Sequence, residues 1–171
     1  MTSTDANAGR PAVLITGAAK RVGAAIARQL HAAGADILIH YRQSVAEADR
    51  LAASLNAVRP GSAATLAGDL LATATLPDLV QRAVSTFGRL DVLINNASSF
   101  YPTPFGRITE AQWDDLFGTN LKALLFLAQA AAPHLKATRG LILNLVDIHS
   151  QRPLPDHTVY CAAKAGLAML T

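Results

Sequence analysis

Short apolar runs alternate with helical patterns from Ala12 to the end of the chain, and this alternation constrains the fold more than any other feature. The runs are Ala12–Thr16, Asp36–Tyr41, Ala63–Ala67, Leu90–Asn95 and Leu141–Val146. Each is a few residues long and bounded by Gly, Pro, Asn or Asp, as buried parallel strands are. Parallel neighbours need crossover helices, so the pattern predicts an α/β fold: a doubly wound parallel sheet with helices on both faces. The helix ends are legible too. Ser44-Val45-Ala46-Glu47 and Thr109-Glu110-Ala111-Gln112 read as capping boxes, in which a hydroxyl and an acid or amide satisfy orphan backbone donors. Gly34 and Gly88 stand where helices should stop.

A length of 171 residues suits one domain, and 51% hydrophobic against 16% charged residues predicts a packed globule. That domain is read over residues 11–171, with residues 1–10 a polar, flexible tail lacking the apolar core of a signal peptide. A single cysteine, Cys161, excludes an internal disulfide and fits a reducing, cytoplasmic setting; it reads as a small buried hydrophobe. The most apolar run, Ala123 to Leu135, is too short for a bilayer and is interrupted by Gln129, Pro133 and His134, so no membrane association is expected. Basic residues are scattered at a net charge of +3, which gives no reason to expect nucleic acid. The five histidines show no ligand spacing, so no metal site is expected. A doubly wound, Rossmann-like dinucleotide fold has about six strands in the order 3-2-1-4-5-6. Only five appear before Thr171, inside a helical pattern, so the domain reads as truncated after the fifth strand and its following helix.

The first run leads into Thr16-Gly17-Ala18-Ala19-Lys20-Arg21-Val22-Gly23, which opens a helix carrying Ile26 and Leu30. Gly17 and Gly23 remove Cβ where backbone must approach a pyrophosphate, and the helix N-terminus supplies donors and positive field. The alternative is a glycine turn with solvated Lys20 and Arg21. The second run ends His40-Tyr41-Arg42-Gln43-Ser44 with no carboxylate until Glu47. An NAD site would place Asp or Glu there for the ribose 2′-hydroxyl; Arg42 and Ser44 match a 2′-phosphate instead, which predicts NADP(H). Ser44 has a competing job as helix cap. Asp69 could accept from an adenine amino group or cap a turn.

The fourth run closes on Asn95-Asn96-Ala97-Ser98-Ser99-Phe100. Ligands of open α/β sheets sit beyond the carboxyl ends of strands, so the asparagines can pin a turn there while Phe100 offers a flat face. Alone, the segment reads equally as a strand-ending turn with Phe100 in the core. Tyr160 and Lys164 stand four residues apart on one helix face. A phenol titrates near pKa ~10, and a neighbouring ammonium, joined by a positively charged oxidised nicotinamide, should favour the phenolate and lower that value toward useful proton exchange. A chance match of this spacing is common; its place after a glycine loop, an Asn-Asn turn and a fifth strand is not.

With these pieces in this order, the chain resembles the short-chain dehydrogenase/reductase family. The resemblance implies a Ser about thirteen residues before the Tyr and an Asn in the preceding helix. Asn120, in the helix starting at Thr109, matches the Asn, which in the family helps hold a proton-relay water. The Ser slot holds Asp147; Ser150 is near but at the wrong spacing. Asp147 could also be a plain strand-end turn residue. By the same resemblance a cofactor would lie against Gly17, Lys20, Arg21, Val22, Gly23, Tyr41, Arg42, Ser44, Asp69, Asn96, Ala97, Ser98, Tyr160 and Lys164.

TGAAKRVG, HYRQS, NNASSFYPTP and Asp147 ahead of Tyr160 and Lys164 look like the pteridine reductase branch of that family. That likeness spans Pro11 to Thr171. It implies NADPH-dependent reduction of a pterin or folate-like ring, with Phe100 stacked on the pterin and Ser98 and Arg21 bonding the pterin or the cofactor phosphates. Tyr160 would give the proton, Asp147 would assist its delivery, and Lys164 would hold the nicotinamide ribose. The alternatives are a carbonyl reductase of the 3-oxoacyl thioester type and an inactive NADP-binding fragment. The helix patterns Leu121–Leu135 and Val159–Leu170 are apolar all round and need cover, either inside one sheet sandwich or against a neighbour. The family resemblance implies the latter, a homo-oligomer and commonly a tetramer.

Overall fold

The computed structural model describes residues 9–171, so the tail expected over residues 1–10 falls mainly outside the described residues. Strands β1 (Ala12–Ile15), β2 (Asp36–Tyr41), β3 (Ala63–Ala67), β4 (Val92–Asn95) and β5 (Leu141–Asn144) form one sheet in the order β3-β2-β1-β4-β5. All four pairings are parallel. The fold is the α/β, Rossmann-like doubly wound sheet that the apolar alternation predicts.

Period-two geometry sorts each apolar run between two cores. Leu14, Leu38 and Leu93 face one side with α3 (Leu76–Phe87), α5 (Ala123–Thr138) and α6 (Thr158–Leu170). Val13, Ile15, Ile37, Ile39 and Ile94 face the other with α1 (Arg21–Ala32) and α2 (Val45–Val58). Each fully buried aliphatic side chain stabilises the fold by about 1.5–3 kcal/mol, and only residues apolar on both faces of the strand can use both sides. A third, smaller cluster of Leu116, Val159, Tyr160 and Cys161 lies beneath the loop after β4, so Cys161 is the buried hydrophobe expected.

Several expectations need correction. β1 ends at Ile15 rather than Thr16, whose hydroxyl is taken by the turn after β4. β4 starts at Val92 rather than Leu90, because the Asp91 carboxylate turns inward to accept from the Ala12 N–H at 2.8 Å. β5 ends at Asn144 rather than Val146, whose N–H turns back to the Asn144 carbonyl. β5 is also not fully buried: it is the sheet edge, and Leu141 and Leu143 are 54% and 45% exposed. The helix expected to run on from Thr109 is interrupted. α4 (Glu110–Phe117) is followed by a π-helical turn, Gly118–Lys122, before α5 begins.

The caps divide. Thr109 and Gln112 exchange both bonds of a capping box, and Gly88 closes α3 at φ +76°. Ser44 makes no side-chain cap bond, and the Glu47 carboxylate that would complete the box is drawn to Lys20 Nζ at 2.9 Å. Among the described residues no helix is long and apolar enough to cross a membrane. Nor, among them, do three or more His, Cys, Asp or Glu side chains gather as a metal site would require.

Candidate active site

The loop after β1 is shaped by contacts within the protein. Gly17 holds φ +61°, and a Cβ there would stand 3.0 Å from the Ala97 Cα. Gly23 is tighter still, because a Cβ would meet Asn96 Nδ2, the Gly17 carbonyl and Ala18 Cα at 2.6–2.8 Å. The glycines expected to make room for a pyrophosphate thus make room first for the Asn-Asn turn. Arg21 holds φ +51°, a left-handed conformation that costs a side-chain-bearing residue roughly 1–2 kcal/mol and that glycine adopts freely.

Thr16 and Asn96 lock that loop to the end of β4. Thr16 Oγ1 accepts from the N–H groups of Asn96 and Ala97 at 3.0 Å, while Asn96 Nδ2 donates to the carbonyls of Thr16 and Gly17. Asn95 Nδ2 donates to Asn144 Oδ1 at 2.8 Å, tying β4 to β5. The asparagines therefore pin the turn as expected.

A cleft of about 460 Å³ opens above these strand ends. Gly17, Lys20, Arg21, Val22, Gly23, Tyr41, Arg42, Ser44, Asp69, Asn96, Ala97 and Ser98 all line it. Segments up to about eighty residues apart in sequence meet here. Arg42 lies 3.9 Å from Asp69, and both are half exposed. Asp69 Oδ1 also accepts from the Leu71 N–H, so the turn-capping role is present. Tyr160 and Lys164 are not on this lining; they stand beyond Ser98, on α6.

The second part of the site is an acid–phenol–ammonium cluster, half-buried at Asp147 and buried at Tyr160 and Lys164. Tyr160 Oη donates to Asp147 Oδ2 at 2.8 Å, and Lys164 Nζ donates to the Leu145 carbonyl at 2.9 Å. Tyr160 and Lys164 are each 4% exposed. Asp147 divides its oxygens: Oδ1 accepts from the His149 N–H and caps the turn Ile148–Ser150, leaving Oδ2 for Tyr160. The backbone bond from His149 holds its pKa below the usual carboxylate value, and burial opposes this while Tyr160 and Lys164 assist.

The protein's own groups push the tyrosine pKa the other way from the expected lowering. Burial first, and Asp147 second, push the Tyr160 phenol up, with the Ser98 hydroxyl working weakly the other way. Burial disfavours the phenolate, the carboxylate at hydrogen-bond distance adds to this, and the Lys164 ammonium stands off at 5.8 Å from the ring centre. Lys164 itself is pushed down by burial, against the pull of Asp147.

Asn120 sits fully buried in the π-helical turn, a bulge type frequent at functional sites. Its Oδ1 accepts from Ser98 Oγ at 2.6 Å, and its Nδ2 donates to the carbonyls of Ser99 and Leu116. Asn120 thus fixes the Ser98–Ser99 turn beside Tyr160. Phe100 is 54% exposed; its ring meets Tyr160 edge-on at 4.8 Å and stacks on His157 at 4.7 Å. One face of the expected aromatic wall is therefore taken by His157.

Several contributors escape sequence reasoning. Thr16, His157 and Asp115, which accepts from Tyr101 Oη at 2.9 Å, act only through contacts distant in sequence. His40 is another: it carries no ligand spacing, yet its buried ring bonds Gly17 and Gly68.

Comparison with known proteins agrees with this geometry. A family model described as short chain dehydrogenase matches residues 11–171. The chain is 40% identical to pteridine reductase 1 of Leishmania tarentolae over 94% of its own length and 69% of that protein's. It is 35% identical to L-xylulose reductase of Bos taurus over 96% of its own length and 64% of that protein's. It is 33% identical to a 3-oxoacyl-[acyl-carrier-protein] reductase of Staphylococcus aureus over 92% and 64% of the two lengths. The chain thus spans about two thirds of the length of these curated relatives.

Proposed function

The chain belongs to the short chain dehydrogenase family, and from that premise we propose that it is an NADPH-dependent reductase of pteridine rings. The observation that carries the substrate class is the Tyr160–Asp147 bond, with the half-exposed Phe100 ring beside it. A Tyr–Ser pair suits a carbonyl oxygen. A carboxylate in the serine's place suits delivery of a proton to a ring nitrogen, and an aromatic wall suits a planar heterocycle.

The cleft residues fit a dinucleotide with a 2′-phosphate. α1 has no acidic residue in its first turn, so nothing on it repels an anion at its N-terminus. Arg42 and Ser44 stand at the end of β2, and the Ser44 hydroxyl is not spent on a cap. When bound, NADPH would supply the hydride for the ring carbon of a C=N bond. Tyr160 then gives the adjacent nitrogen its proton from Oη, and Asp147 restores that proton from solvent. Lys164 keeps one positive charge beside the pair and is the donor placed to hold the nicotinamide ribose. Phe100, Ser98 and Arg21 would hold the ring.

The chemistry is tested by NADPH oxidation with 7,8-dihydrobiopterin against an acetoacetyl thioester. Turnover of the pterin is expected, and turnover of the thioester alone would overturn the reading. A carbonyl reductase is the second reading, favoured by the xylulose and 3-oxoacyl relatives and by the Ser98 hydroxyl beside Tyr160.

Assembly is read as a homo-oligomer, a tetramer by family habit. α5 leaves Leu125 and Phe126 exposed and α6 leaves Met169 exposed, so each keeps an apolar face without cover. A monomer mass by sedimentation at micromolar concentration would contradict it. A single buried thiol suits a reducing cytoplasmic setting.

A further inference from the structure

His40 is buried at 2% exposure near the end of β2, and the reaction proposed above gives it no part. Its two ring nitrogens meet main-chain groups of opposite kind. The Gly17 N–H donates to Nδ1 at 3.2 Å, and Nε2 lies 3.2 Å from the Gly68 carbonyl, which can only accept. These partners assign the tautomer: a neutral imidazole with its proton on Nε2. The main chain repeats the tie, since Ala18 N–H donates to the His40 carbonyl and Gly68 N–H to the Tyr41 carbonyl. One ring thus joins the loop after β1, the end of β2 and the loop after β3.

Those three segments carry the charged groups of the cleft. Lys20 and Arg21 follow Gly17, Arg42 follows His40, and Asp69 follows Gly68. With its N–H spent on His40, Gly17 serves the shape of the loop. An apolar ring of similar size would fill the same space but leave the Gly17 N–H and the Gly68 carbonyl unpaired.

We propose that His40 is a positioning residue of the cofactor cleft: its neutral ring holds the glycine loop at a set distance from Arg42 and Asp69. The inference rests on the reading of this cleft as a dinucleotide site. It has an acid limit. Protonation would place an N–H on Nδ1 facing the Gly17 N–H, two donors with no acceptor between them, and the latch would open. Burial pushes the His40 pKa down to about 4; the Gly68 carbonyl and Asp69 oppose that shift and Arg82 reinforces it. The latch therefore holds at neutral pH and loosens as pH falls toward that value.

The test compares the chain with His40→Phe and His40→Gln, using NADP⁺ binding by calorimetry and amide exchange of residues 17–23. The Phe variant should bind NADP⁺ at least about tenfold more weakly and exchange faster in that loop, with β1 and β4 still protected. The Gln variant keeps one acceptor and one donor, so its affinity should return to within about threefold. Between pH 7 and roughly 3.5 it should also lose less affinity than the natural chain, because it has no imidazole to protonate. Protonation of the 2′-phosphate weakens both alike and cancels. A folded Phe variant with unchanged exchange and affinity would overturn the inference. If the Phe variant does not fold, a Gln variant that weakens with acid as much as the natural chain overturns it. Failure of the natural chain to bind NADP⁺ would overturn the cofactor reading instead, while loop exchange in the variants still decides whether His40 is the latch.

Discussion

At the scale of the residue, the site turns on how one negative charge is shared. Tyr160 and Asp147 hold one proton between them, and Lys164 supplies one balancing cation. If Tyr160 gave up its proton while Asp147 stayed ionised, two anions would face a single ammonium, so turnover needs a second proton on the pair. Asp147 titrates below the usual carboxylate range, so it is ionised at neutral pH and protonated more often as pH falls. Pterin turnover should therefore rise on acidification, by up to about tenfold per unit, until the His40 latch fails. A pH–rate profile checks this, and Asp147→Asn should flatten it, with His149 and Lys164 the remaining charged neighbours. Asp147→Ser and Phe100→Ala should each cut pterin turnover by about 10²-fold or more while NADPH affinity stays nearly constant; unchanged turnover in either contradicts the proposed roles. Arg42→Ala should erode the preference for NADPH over NADH by about 10–100-fold, the worth of one charge-assisted bond, read from the two dissociation constants.

At the scale of the element, two sequence motifs of the same type met different fates. Thr109–Gln112 closes on itself, with the glutamine amide oxygen accepting from the Thr109 N–H. Ser44–Glu47 does not, because folding brings Lys20 from the loop after β1 to Glu47. Thr109→Ala should thus cost about 1 kcal/mol, whereas Ser44→Ala should change stability by less than about 0.5 kcal/mol, in urea unfolding of each variant. The helix expected to contain Asn120 shows the same limit. Its periodicity is continuous in sequence, but a π-helical turn at Gly118–Lys122 aims the Asn120 amide at Ser98 and Ser99. Only the neighbours supply a reason for that turn.

At the scale of the whole molecule, the sheet ends on β5 with Leu141 and Leu143 exposed, and a groove of about 270 Å³ runs between β5, α5 and α6. Among the described residues, this apolar strand edge is a surface on which another strand can pair. Leu143→Lys should lower concentration-dependent light scattering without altering NADPH affinity, since the strand's site-facing contact is the Leu145 carbonyl beyond its end.

Local order was legible from sequence wherever it depended on side-chain type and spacing alone. The five strands, the αβ alternation, the halts at Gly34 and Gly88 and the Tyr160–Lys164 pair all follow from periodicities the backbone enforces on any chain. Even the assembly of the cleft was foreseeable, because parallel crossovers must bring the ends of β1, β2 and β4 to one edge. What tertiary structure alone decided is how competing polar groups chose partners: Glu47 took Lys20, Ser98 took Asn120, and His40 took Gly17 and Gly68. Hydrogen bonds and charges act within a few ångströms, so those choices, and the burial that with Asp147 shifts the Tyr160 pKa upward, exist only once distant segments have met.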